Sequence, residues 1–213
     1  MSDPAAFKIE SERYILAQGG TICDWLPVID SEELSPRETH EVASRALALN
    51  VLIHLSFGAP VQMMRDWLEK HALLDALTPD DLRVIKAARD PDQDKKNFLR
   101  WYVECALTAV WVGGLLDDLS PVQDIPETLA SCFPNLKNGE GPDAFREKFR
   151  LRSVDEIHAK LDLFFRSHWH TRNCELSGKD AAPFHPGVVQ MRRHMLEWVM
   201  HKGVAWEEVE LST

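Results

Sequence analysis

Apolar side chains recur along most of this chain at spacings of three and four, the period of helices. In the longest such stretch, NFLRWYVECALTAVWVGGLL at residues 97–116, they point to every side of the helix. A segment of that kind is buried on most of its faces, so it predicts the central helix of an all-α fold. Its uninterrupted apolar part, 105–116, falls short of the roughly 20 residues that a bilayer-spanning helix needs, and Arg100 and Glu104 stand just before it. Trp101, Glu104, Thr108, Trp111 and Leu115 share one line on this helix, which predicts a buried carboxylate between two indoles. Such a group requires a cationic partner or a proton.

The remaining elements follow from start and stop signals. Residues 1–10 carry no pattern, a short helix fits 11–17 before Gly19-Gly20, and 22–29 reads as an extended docking segment broken by Pro27. Ser35-Pro36 predicts the start of a second core helix that carries Arg45 and stops at Gly58. Shorter helices follow at 61–71 and from the Thr78-Pro79-Asp80-Asp81 opening. Prolines and glycines then crowd 117–142, predicting a long irregular connection with one short helix at 127–133, a candidate lid or partner-binding loop. A capping box of Ser153 and Glu156 opens a helix to about 176, Pro186 opens the last one to about 202, and a tail at 204–213 holds Trp206 among acidic residues. Trp25 and Trp206 read as anchors that dock the loop and the tail. The expected fold is a single-domain orthogonal helical bundle, residues 35–213, with 1–34 as an extension packed on it.

Composition narrows the function classes. With 45% hydrophobic and 27% charged residues the chain is ordinary soluble globular material, and its formal net charge of -10 argues against gripping nucleic acid or an anionic membrane surface. That charge favours a basic protein partner. The four cysteines, at 23, 105, 132 and 174, form no ligand spacing, and two of them sit in helices as small hydrophobes; with no signal-peptide pattern, the expectation is reducing cytosol. No cofactor motif is present: the chain lacks HExxH, GxSxG, a phosphate-binding glycine loop and a paired-cysteine motif. Gly113-Gly114 reads as a place of close approach or a weak helix end.

Wheels bring out a polar set. On the helix from Ser153, Phe164, Ile157, His168, Leu161, Arg172 and Phe165 fall in one arc of about 100°. On the last helix Arg192 lies with Val188, Met195, Leu196 and Val199, whereas Arg193, His194, Glu197 and His201 fall on the other side. Glu104, Arg172, Arg192, His168 and Arg45 are thus sent inward, one carboxylate against several cations. Two readings follow. In one, arginine stems cover apolar surface and Glu104 pairs with one arginine to fix how three helices meet. In the other, the surplus positive charge lines a cavity for a small anionic ligand, a carboxylate or phosphate, with His168 as proton carrier. The His194, Glu197 and His201 face reads as solvated, and no metal site is expected.

Several runs resemble one family: RALAL at 45–49, LTPDD from Leu77, WYVECAL and VW within 101–111, LDDLSP at 116–121 and DLFFRSHWHTR at 162–172. The ending, with Val188-Val189, Arg192-Arg193, Leu196, Trp198 and Trp206, is similar too. Over roughly 35–213 the chain resembles the uncharacterised family catalogued as domain of unknown function 4272. The resemblance implies a mainly helical soluble domain without an established activity or catalytic residues. The family's usual pattern has an acidic residue where Met191 stands and aspartates where Glu207, Glu208 and Ser212 stand, which leaves Arg192 with fewer carboxylate partners here. The functional expectation is a monomeric or dimeric cytosolic protein that binds a protein partner in an adaptor or immunity role. The alternative is a binder of, or an enzyme acting on, a small anionic ligand.

Overall fold

A computed structural model describes residues 3–87 and 89–213. Among these residues the fold is all-helical: α1 (Pro4–Ala17), α2 (Thr39–Ser56), α3 (Val61–Lys70), α4 (Pro79–Lys86), α5 (Gln93–Arg100), α6 (Tyr102–Val112), α7 (Asp143–Lys148), α8 (Val154–Leu176) and α9 (Pro186–Met200), with short 3-10 turns between. No strand is found among them, only one parallel bridge between Ser35 and His201. The chain divides into two compact units. Unit 1 takes residues 1–37, 118–124 and 152–213, and unit 2 takes 38–117 and 125–151.

In unit 1, α8 packs on α9 and on α1. The first helix is longer than the sequence suggests: the Asp3 side chain accepts from the Ala5 amide at 2.9 Å and Pro4 fits the first turn, so it starts seven residues before Ser11. Met1 and Ser2, the first residues of the stretch without a pattern, lie outside the described residues. The helix expected from Ser35 begins instead at Thr39. The backbone amides of Ser35 and Arg37 donate to the carbonyls of Met200 and Val199 at 2.8 and 2.9 Å, which satisfies the open end of α9 and keeps 35–37 extended. Arg37 completes this clamp by donating to the Trp198 and Val204 carbonyls. The segment at 22–29 is non-helical, as expected, and is tied down by Arg166, which donates to the Pro27 carbonyl at 2.8 Å. Trp206 is buried against Trp198 and His194, with ring centroids 5.7 and 4.4 Å apart. Trp25, expected to dock, remains exposed.

In unit 2, α2 packs on α6, α5 and α3, and α3 on α4. The expected central helix at 97–116 is two helices. At Trp101 the amides of Trp101 and Glu104 bond three residues back, a tight turn between the one-sided α5 and the enclosed α6. Trp101 is therefore half exposed, and Leu115 lies beyond the end of α6. Glu104, Thr108 and Trp111 are buried as the pattern requires. Gly113 ends α6 where the Phe149 ring arrives, and a methyl there would stand 2.2 Å from a ring carbon. Close approach is thus the reason for that glycine. α7, which no cap or period announced, ends in Phe149. The irregular connection holds a second 3-10 turn, at Leu136–Asn138, besides the one at Glu127–Cys132.

Candidate functional site

In unit 2 the buried polar centre forms where α2, α4 and α6 meet. Thr78 and Asp81 make a capping box, the Asp81 amide donating to Thr78 Oγ1 at 3.1 Å and the Thr78 amide to Asp81 Oδ2 at 3.2 Å. The same Oδ2 accepts from Arg45 Nη1 at 2.7 Å, and Oδ1 accepts from the Tyr102 hydroxyl at 3.3 Å. Arg45 also donates to the Ala76 carbonyl at 3.1 Å and lies over the Tyr102 ring. Burial, and then the Asp81 charge, push the Tyr102 phenol above its ordinary pKa, and burial does the same to the Cys105 thiol. Both stay protonated at neutral pH. Asp81, which the sequence marks only as a helix-start carboxylate, is thus the partner of Arg45.

Unit 1 holds His168, Arg172 and Arg192. Arg192 is buried as predicted, and its guanidinium donates to the Ser120 and Gln123 carbonyls, the latter at 2.8 Å. With Lys160, which donates to the Leu119 carbonyl, and Tyr14, which donates to Ser120 Oγ at 3.0 Å, it clamps residues 118–124. Arg172 departs from its prediction. It lies in the last two turns of α8, exposed, and pairs with Glu175 on the surface.

The arginine beside His168 is Arg193, which the wheel placed on the outer side of α9. Its Nη1 donates to His168 Nδ1 at 2.8 Å and its Nε to Glu197 at 3.0 Å, and both Arg193 and His168 are buried. Burial first, then the charges of Arg193 and Arg172, pull the His168 pKa down from 6.5 to about 4. His168 is therefore neutral at physiological pH, and its lone pair faces Arg193. A second charge pair missed in sequence is Arg166 with Asp162, bonded by two contacts of 2.8 and 2.9 Å on adjacent turns of α8. An acid and a base four residues apart were its signal.

Among the described residues no three His, Cys, Asp or Glu are placed to hold a metal. None of the described cysteines is in a disulfide. Cys105 and Cys174 are buried in α6 and α8.

Fold and sites define an all-helical protein organised around buried arginines, in which no described helix is long and apolar enough to cross a membrane. The family model described as Domain of unknown function (DUF4272) matches residues 10–209, and the chain belongs to that family. No curated protein and no solved structure matches it.

Proposed function

We propose that this protein acts in the cytosol by binding another protein, as an adaptor or immunity-type module, and that the outer side of α5 with the end of α2 makes the contact. The observation that carries this reading is an exposed aromatic set on unit 2: Phe57 at 73%, Phe98 at 50% and Trp101 at 40%. Phe98 in α5 and Trp101, the residue that caps its end, are three residues apart, and the Arg100 guanidinium lies 5.5 Å from the Phe57 ring. Aromatic residues and arginine dominate the energetics of protein interfaces, and monomers seldom leave several such rings in water. The net charge of -10 would steer a basic partner toward the chain before the rings engage.

The test is a photo-crosslinking residue placed at position 101 and, as control, at the more exposed position 176, in cells of the protein's own source. A single defined protein adduct from position 101, abolished by Phe57→Ser, is the expected result. The same adducts from both positions, or none, would end this reading. A second reading, an anionic ligand in unit 1, is favoured by the pairing of His168 with a buried arginine, and moves from Arg172 to Arg193.

A further inference from the structure

Arg193 is 3% exposed, and its whole fork is engaged. Besides Glu197 on Nε and His168 on Nη1, Nη1 donates to the Leu211 carbonyl at 3.2 Å and Nη2 to the Ser212 carbonyl at 3.1 Å. The Phe165 ring lies 4.9 Å from the guanidinium. Two carbonyls on the two terminal nitrogens stand where the two oxygens of a carboxylate stand in a bidentate arginine pair. They bring dipoles and no charge, whereas a carboxylate would bring both.

We infer that Arg193 heads a carboxylate-binding site, which residues 209–213 fill in the free protein and vacate when a carboxylate enters. This rests on the ligand reading and is independent of the aromatic surface.

Three further features fit. The closing residues are weakly held: 209–213 are half-buried or exposed, whereas Trp206 just before them is buried, so the chain can hinge between. Burial holds the Arg193 pKa below its ordinary value, with Glu197, its one carboxylate partner, working the other way. A cavity of about 480 Å³ lined by Glu197, His201, Val204, Glu208, Val209 and Glu210 borders the site. Its three glutamates repel multiply charged anions more strongly than singly charged ones, so a ligand there carries one carboxylate at most.

Relaxation of backbone ¹⁵N nuclei in the full chain tests this. Two probes separate the sources of the carboxylate: propionate for a free acid, and a capped peptide with one glutamate for a protein side chain. Chloride at matched ionic strength and inorganic phosphate are the controls. With at least one probe the order parameters at Leu211 and Ser212 should fall saturably from about 0.85 to below about 0.6, while Trp206 stays rigid. Arg193→Lys, which keeps the charge but not the fork, should free the segment without any probe and cut probe affinity by about tenfold, as the loss of a charge-assisted hydrogen bond would. Should that variant fail to fold, shifts of the Arg193 side-chain resonances in the unaltered protein decide. No response to either probe, or an equal response to chloride or phosphate, would overturn the inference. A mobile aromatic face, or a missing protein partner, would not touch it.

Discussion

Two buried arginines meet the same physical problem with different partners. Arg45 in unit 2 is held by the Asp81 carboxylate, which is itself fixed by Thr78 and Tyr102. Arg193 in unit 1 has one carboxylate on Nε, while its terminal nitrogens rest on a neutral histidine and two main-chain carbonyls of the closing segment. The first arrangement is locked, because its anion belongs to the capping box of α4 and is held there by Thr78 and Tyr102, so that removing it strands a charge. The second is exchangeable, because part of it is loosely tethered chain. A buried cation is therefore structural or functional according to how firmly its acceptors are themselves held.

The largest effect that sharpens this contrast is expected from Asp81→Ala. It leaves Arg45 buried without its anion, and the cost is about 3–5 kcal/mol by urea denaturation. Arg192→Met takes a charged donor from the Ser120 and Gln123 carbonyls and should cost about 1–3 kcal/mol in the same assay. A loss as large as that for Asp81→Ala would erase the distinction between carboxylate and carbonyl partners.

The pH dependence of unit 1 comes next. His168 has its folded pKa lowered from 6.5 to about 4, so the fold binds the neutral ring. The unfolded chain takes up the proton first, and stability is complete above about 6.5 and declines as pH falls toward 4. The charged groups acting on the ring are Arg193 on α9 and Arg172 on α8, and both oppose its protonation. His168→Gln keeps an acceptor for Arg193 and loses the titration, so its stability should fall less steeply over this window; an unchanged slope would show that His168 does not carry it. Arg172→Leu should have the smallest effect, within about 0.5 kcal/mol, since its pair with Glu175 is in solvent.

Periodicity and caps read most helices of the fold, because those signals are local. The Ser153 and Glu156 box and the Thr78 opening start α8 and α4 where the chain announces them. What failed depends on contacts distant in sequence. Ser35-Pro36 looks like a helix start, yet its amides are taken by the end of α9. The wheel set Arg193 outside because an isolated helix has a free side, and here residues 211 and 212 return to cover it. Arg172 looked inward because a wheel gives only an angular position, whereas the side chain pairs with Glu175 in solvent. Of the five candidate residues, Arg45, Glu104, His168 and Arg192 are buried, but their partners were not legible: Asp81 lies 36 residues from Arg45, and Arg193 lies 25 from His168.

The most direct measurement is solvent exchange of the guanidinium protons of Arg45 and Arg193 in the native protein under increasing low urea. If the contrast between the two sites is right, Arg193 protons exchange through a local opening that urea barely changes, and Arg45 protons exchange only through a urea-sensitive unfolding of unit 2. A shared, urea-sensitive rate for both arginines would contradict it, since the closing segment would then be as much a part of the fold as Asp81.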